Sequence, residues 1–172
     1  MWLAQALSKL LKAGSISEHG ASFIINNQVM IRIKPFTWWQ QGMGIRWTVD
    51  GAIEMRADKV SWQQPVKVYQ LSGLVHEVKH LEQGKRVALS QLGEVQAWFT
   101  EYKAGRELGL RMKHIPAEVV AWGELPTKEN FIAARRAIIQ QQSRRYLFWL
   151  LPPYPFVASY EVNLAKLLKR HD

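Results

Sequence analysis

Residues 74–84 read LVHEVKHLEQG, the most informative stretch of the chain. Apolar residues repeat through it at helical spacing, which predicts that it lies on an α-helix. Residues four positions apart share one face of a helix, so His76 and His80 can direct their ring nitrogens at one metal ion. Glu77 lies beside them and can hold the proton of a water bound to that ion. The stretch therefore predicts a metal site built largely on one helix.

Helical patterns continue on the C-terminal side of this stretch. Pro65 suits the first turn of the motif helix, because a missing N–H costs nothing there, and Gly84 suits its end. Pro152 and Pro153 cannot continue a helix, so the fourth predicted helix stops no later than Leu151. The predicted helices run from Pro65 to Gly84, from Ser90 to Leu108 with Gly109 closing it, from Pro116, from Lys128 behind the cap Thr127, and from Ser159 to Arg170.

On the N-terminal side, alternation of apolar and polar residues between Ser22 and Asp58 predicts half-buried strands. Asp50-Gly51 separates two alternating runs, which is a strong hairpin signal. The predicted elements are a helix over 1–13 ended by Gly14, strands over 23–25 and 29–33 with a turn at Asn26-Asn27, and strands over 45–49 and 53–55. The fold class is therefore α+β, a small antiparallel sheet followed by a helical region. We expect one domain over 1–172, with a core of about 22–110 and a helical extension over 111–172.

The composition of the chain limits which groups can bind a metal and indicates which partners to expect. The 172 residues are 48% hydrophobic, which supports a globular core, and they include no cysteine. A zinc ion would therefore be held by histidine and carboxylate groups. The balance of 23 Lys and Arg against 14 Asp and Glu gives a net charge of +9, which favours nucleic acid or an anionic surface as partners. The chain start does not resemble a secretion signal, and no apolar run reaches ~18 residues. We therefore expect a cytoplasmic protein with no transmembrane segment, for which peripheral membrane contact stays open.

A catalytic zinc ion normally has three protein ligands, so a third ligand must join the two histidines. The nearest downstream carboxylates are Glu82, Glu94, Glu101 and Glu107. Glu82 lies on the wrong side of the motif helix. Glu94 opens the next helix, and a helical hairpin could bring it back beside the histidines, with the small Ala97 permitting close approach. Glu94 is therefore the first choice, and Glu101, two turns further along the same face, is the second.

The motif, followed fourteen residues after His80 by Glu94-x-x-Ala97, resembles the zincin metallopeptidases of the gluzincin type. It is most similar to small bacterial domains that carry H-E-x-x-H-x-x-Q. The resemblance covers roughly residues 44–108, and it implies an α+β zincin-like domain that hydrolyses peptide bonds in peptide or protein substrates. The ligands that it implies for Zn²⁺ are His76, His80 and Glu94.

The resemblance also implies roles around the metal. Glu77 would be the general acid/base, taking a proton from the attacking water and passing it to the leaving amine. The hairpin segment over 51–55 would supply the edge strand that aligns the substrate. Tyr102, Arg106 and His114 are available to stabilise a transition state, but the motif does not match any of them to that role.

Two other functions compete with a peptidase. A basic nucleic-acid-binding domain would use the net charge of +9 and the many aromatic residues, although no recognised binding motif is present. A zinc-binding domain without catalytic activity would keep the same ligands. Trp38-Trp39 could be part of the core or a platform for bases or sugars. The apolar segment over 144–156 could be the end of a core helix followed by a proline-rich strap, or a contact with a membrane or partner.

Overall fold

A computed structural model describes residues 2–35, 44–58, 60 and 65–142 of the chain. The α+β class predicted from the sequence is confirmed. The predicted helix over 159–170 and the segments 38–39 and 144–156 lie outside the described residues. The elements are α1 (Trp2–Leu10), α2 (Ser15–Asn26), β1 (Ile31–Lys34), β2 (Ile45–Trp47), β3 (Ile53–Arg56), α3 (Val68–Ala88), α4 (Gln91–Glu107), α5 (Ala117–Glu124) and α6 (Lys128–Gln142).

The N-terminal helices differ in how well the sequence predicts them. In α1 the residues Trp2, Ala6 and Leu10 recur every four positions and are buried, as expected for an amphipathic helix. The predicted strand over 23–25 is wrong, because these residues lie within α2. The face that α2 buries consists mostly of small residues, which give a weak hydrophobic signal. These buried residues are Ser17, Gly20, Ala21 and Ile24.

Within the part of the chain that the structure describes, the sheet has three strands in the order β1-β3-β2. The predicted hairpin is confirmed: β2 and β3 are antiparallel, and Gly51 has the positive φ of 86° that its turn requires. The sheet is mixed rather than antiparallel throughout, because β1 pairs with β3 in parallel. Residues 23–25, the predicted hairpin partner of β1, are helical instead. The central strand is therefore β3, and β2 is an edge strand.

One face of the sheet carries charged residues around a buried carboxylate. Glu54 on β3 is 3% exposed, and its oxygens lie 2.6 Å from Lys34 Nζ and 2.5 Å from Arg46 Nη2. Arg32 and Arg46 are its register partners on the two neighbouring strands. Burial raises the pKa of the Glu54 carboxyl, but the hydrogen bonds from Lys34 and Arg46 outweigh burial and lower the pKa. Glu54 therefore stays ionised inside the sheet.

The motif helix α3 begins at Val68, three residues after the predicted Pro65. Its buried stripe is Leu71, Leu74, Val75 and Val78, as the helical spacing predicts. Helical geometry is interrupted at Gly84, whose φ of 70° and ψ of 160° mark a kink at the predicted helix end. The predicted helix from Ser90 to Leu108 corresponds to α4, and Gly109 follows it with a φ of 77°. Thr127 Oγ1 accepts a hydrogen bond from Asn130 N–H, as expected of a cap for α6.

The chain divides into two compact units, 1–82 with 100–112 and 83–99 with 113–172. The first unit has a hydrophobic core drawn from α1, α2, the sheet, α3 and α4. In the second unit α5 packs against α6. The residues that these two helices bury are Val119, Trp122, Phe131, Ala134 and Ile138. The single domain expected from the sequence stays a prediction. Among the described helices, none combines the length and apolar character needed to cross a bilayer.

Candidate metal centre

Three side chains named from the sequence come together in the structure. His76, His80 and Glu94 are 8%, 2% and 8% exposed, and each offers one ligand atom within 4.8 Å of the other two. Buried histidine and carboxylate groups are costly unless a partner compensates them. The group could therefore hold a metal ion with two nitrogen ligands and one oxygen ligand.

The spacing of the two imidazoles provides a test of fit. Tetrahedral zinc with Zn–N bonds of 2.0–2.1 Å places two nitrogen ligands about 3.3 Å apart. His76 Nε2 and His80 Nε2 lie 3.2 Å apart, and their ring centroids are 5.0 Å apart. The spacing of the two nitrogens therefore fits zinc, although imidazole and carboxylate also suit other divalent transition metals.

Glu101, the second-choice ligand, contacts the opposite nitrogen of His76. His76 Nδ1 lies 3.0 Å from Glu101 Oε2. A proton on Nδ1 that is donated to this carboxylate leaves the Nε2 lone pair of His76 available for an ion. The carboxylate also fixes the orientation of the His76 ring. Glu94 and Glu101 thus have different positions: Glu94 belongs to the group of possible ligands, and Glu101 contacts Nδ1 of His76.

The edge strand β2 contacts both the motif glutamate and a histidine. The backbone N–H of Trp47 donates a hydrogen bond of 2.7 Å to Glu77 Oε2. The indole ring of Trp47 stacks on the imidazole of His80, with centroids 5.7 Å apart and planes 27° apart. The strand beside the motif helix is therefore β2 (Ile45–Trp47), and the expected edge strand over 51–55 is wrong because β3 is the central strand.

Trp47 was not among the residues predicted for the site. Its position on the first strand of the Asp50-Gly51 hairpin was readable from the sequence. Its proximity to the motif helix depends on how the sheet packs, which local patterns do not encode. Of the residues left available for a transition state, Tyr102 is half-buried, whereas Arg106 and His114 are exposed.

Glu82, the first of the four candidate carboxylates downstream of His80, lies away from the metal ligands, as the sequence predicts. Its Oε1 is 2.5 Å from His19 Nε2 on α2, and its Oε2 accepts a hydrogen bond of 3.2 Å from Lys79 Nζ. The contact with His19 is exposed and the contact with Lys79 is partly buried, and ion pairs of this kind near the surface contribute little to stability. Glu82 is therefore a useful control position for experiments on the metal ligands.

Glu107 caps the N-terminus of α2. Its carboxylate accepts hydrogen bonds from Ile16 N–H at 3.0 Å, from Ser17 N–H at 2.8 Å and from Ser17 Oγ at 2.7 Å. Burial raises the pKa of the Glu107 carboxyl, but the hydrogen bonds from Ile16 and Ser17 outweigh burial and lower the pKa. The four candidate carboxylates downstream of His80 therefore have four separate roles, and one of them joins the histidines.

The turn between α3 and α4 is closely packed around the residue that precedes Glu94. Ser90 Oγ donates to Val87 O at 2.7 Å and accepts from Gly93 N–H at 3.1 Å, as an N-cap side chain does. A Cβ atom added to Gly93 would lie 2.1 Å from Val87 O, so only glycine fits there. This turn sets where the first turn of α4 presents Glu94.

The fold and the buried ligand set define an α+β protein with a possible His₂Glu metal centre. Comparisons with protein-family models, with curated proteins and with solved structures give no match. The resemblance to the gluzincins therefore depends on the motif residues themselves.

Proposed function

We propose that this chain is a zinc-dependent metallopeptidase, with His76, His80 and Glu94 as ligands and Glu77 as the general acid/base. The observation that carries the proposal is the buried group of two imidazoles and one carboxylate, in which the two imidazole nitrogens have the spacing that tetrahedral zinc requires. Within the H-E-x-x-H motif at residues 76–80, Glu77 is the one residue with a carboxylate. The structure supports the choice of Glu94 over Glu101 as third ligand.

Glu77 is arranged to move protons. Bound zinc would supply a Lewis acid that polarises a substrate carbonyl and lowers the pKa of a water ligand toward ~7. Trp47 N–H donates a hydrogen bond to Glu77 Oε2, which helps to fix the orientation of the carboxylate. The Glu77 carboxylate would accept a proton from the attacking water and deliver it to the nitrogen of the leaving amine. The His76–Glu101 contact keeps the imidazole oriented during this exchange.

The edge strand supports an extended peptide as the substrate. In the antiparallel pair, Thr48 N–H bonds to Ala52 O, so the alternating residues Ile45 and Trp47 direct their backbone groups away from β3. The contact between Trp47 N–H and Glu77 agrees with this alternation. A substrate strand that pairs with the outward backbone groups of Ile45 and with the Trp47 carbonyl would thus lie next to Glu77, which already accepts the Trp47 N–H.

The alternative of nucleic-acid binding rests on the net charge of the whole chain. On the charged face of the sheet, Arg32 pairs with Asp50 and Arg56 pairs with Asp58. Lys34 and Arg46 share Glu54. Because three carboxylates offset most of the charge of these four cations, this face of the described sheet does not favour a nucleic-acid interface.

Three measurements test the proposal. Protein purified without added metal should contain about one zinc per chain, and a chelator should remove it together with hydrolysis of a mixed peptide library. Glu77→Gln should keep the zinc and lose hydrolysis, because the amide cannot accept the proton. Glu94→Ala should lose or weaken zinc binding. Glu82→Gln is the matched control and should retain both properties.

Each negative result has a separate meaning. Protein without bound metal, and without affinity for added zinc, would reject the metal centre. Zinc bound by a wild-type protein that cleaves no peptide would identify a catalytically inactive zinc-binding domain. Unchanged zinc content in Glu94→Ala would remove Glu94 from the ligand set.

A further inference from the structure

Gln83 shares a helix face with the two histidines. It lies seven residues after His76 and three after His80, and these spacings bring side chains to one face of an α-helix with 3.6 residues per turn. The non-helical Gly84 follows at once, so Gln83 is the last residue of the regular part of α3. A face that presents two imidazoles therefore ends in a carboxamide.

The carboxamide of Gln83 donates both of its hydrogens to α4. Gln83 Nε2 lies 2.9 Å from the carbonyl oxygen of Gly93 and 2.9 Å from Gln96 Oε1. These acceptors are the residue immediately before Glu94 and the residue two positions after it. If α4 shifted along its axis or rotated, Glu94 would move with it, and at least one of the two hydrogen bonds would be stretched.

The oxygen of the Gln83 carboxamide lowers the stability that this side chain can contribute. Gln83 Oε1 is buried and has no hydrogen-bond partner among the described residues. An unsatisfied buried acceptor costs about 1–3 kcal/mol, so the side chain is a poor choice for stability alone. An apolar side chain of similar length would fill the same space without this cost. The two donors aimed at α4 are the feature that an apolar residue would lack.

We infer that Gln83 is a positioning residue that fixes the first turn of α4 and thereby holds Glu94 in place as a metal ligand. The inference rests on the proposed metal centre and adds a role for the glutamine of the H-E-x-x-H-x-x-Q pattern. The two hydrogen bonds that Gln83 Nε2 donates to Gly93 O and Gln96 Oε1 are the contacts that carry this role. Gln83 acts only through the position of the Glu94 carboxylate.

Zinc affinity of the full chain tests the inference. Gln83→Met keeps the length of the side chain and removes both donors, and zinc titration against a competing chelator dye should show a loss of about 10–100-fold, as for other groups that orient metal ligands. The absorption spectrum of the Co²⁺-loaded variant should also change, because the carboxylate ligand is displaced. Gln5→Met, the same change at an exposed position of α1, should leave zinc affinity and the Co²⁺ spectrum unaltered.

A double-mutant cycle separates positioning from general stability. In a Glu94→Ala background, Gln83→Met should change zinc affinity by less than about two-fold, since the residue it positions is gone. An equal loss in both backgrounds would overturn the inference. Unchanged affinity and an unchanged Co²⁺ spectrum in Gln83→Met would also overturn it while leaving the proposed peptidase intact. A wild-type chain that binds no zinc would instead reject the metal centre, and the inference with it.

A milder variant covers the case in which Gln83→Met does not fold by circular dichroism. Gln96→Met removes one of the two acceptors that Gln83 contacts and keeps the bond to Gly93. It should weaken zinc binding by less than Gln83→Met, on the order of several-fold. An affinity equal to that of the wild-type chain would overturn the inference by itself.

Discussion

The cap that Glu107 places on α2 gives a stability prediction that can be worked out in detail. The change is Glu107→Gln, which keeps the volume that packs against Gly14 but removes the charge. It also places an NH₂ group among the N–H donors of Ile16 and Ser17. Hydrogen bonds to a charged group contribute about 1.5–3 kcal/mol each, but three bonds to one carboxylate are not additive. Loss of an N-cap costs about 0.5–2 kcal/mol. We therefore expect a loss of ~2–3 kcal/mol, or roughly 4–12 °C in Tm.

The pH dependence gives this prediction a second measurable consequence. The pKa of Glu107 is lowered in the folded state from an ordinary value of 4.5. Its stabilisation is therefore fully present above that ordinary value and is lost as the pH falls through the lowered folded pKa. The difference between the wild type and Glu107→Gln should stay constant between about pH 6 and pH 8 and shrink below about pH 4.

Urea unfolding followed by circular dichroism, with a chelator present so that metal binding does not contribute, measures both effects. Glu124→Gln, at an exposed position of α5, is the control and should alter stability by less than about 0.5 kcal/mol. The reasoning is refuted if Glu107→Gln costs no more than this control at neutral pH, or if its cost does not fall on acidification.

Two further predictions concern the surroundings of the metal ligands. Glu101→Ala removes the acceptor 3.0 Å from His76 Nδ1 and should weaken zinc binding about 10–100-fold in a competition titration. Glu82→Ala is the control and should keep the wild-type affinity. Equal affinities in the two variants would contradict the role assigned to Glu101. Gly93→Ala places a Cβ atom 2.1 Å from a backbone carbonyl and should destabilise the chain by at least ~1–3 kcal/mol in urea unfolding. Gly44→Ala, where an added Cβ meets no atom of the described residues within 4 Å, should cost under about 1 kcal/mol. Similar stabilities of the two variants would mean that the turn relaxes easily.

The sequence predicts best the parts of the fold with strong local signals. The periodicity of α3 and the Asp50-Gly51 turn each determine an element without help from the rest of the chain. The helix α2 was missed because Gly20 and Ala21 face the core without adding hydrophobicity, while Ile25, which is 48% exposed, completed a false alternation from Phe23. The same error concealed the parallel pairing of β1 with β3, because the sequence offered residues 23–25 as the hairpin partner of β1.

The candidate site was predictable for a different reason. A five-residue pattern names His76 and His80, because their relation is local to one helix. The choice between Glu94 and Glu101 depends on the turn between α3 and α4, where Gly93 packs against a backbone carbonyl. The contact of Trp47 with the site depends on how the sheet packs against α3, and no short pattern in the sequence encodes that packing.

The buried carboxylate of β3 also has a consequence for how the strands find their alignment. Neighbouring residues of a strand point to opposite faces, so a slip of one position would turn Glu54 into the apolar side now filled by Ile53 and Met55, both 0% exposed. A carboxylate without its cations in such surroundings costs several kcal/mol. The charge of Glu54 at the centre of the small sheet therefore opposes misaligned strand pairing, because each pairing that exchanges the two faces separates the carboxylate from its cations.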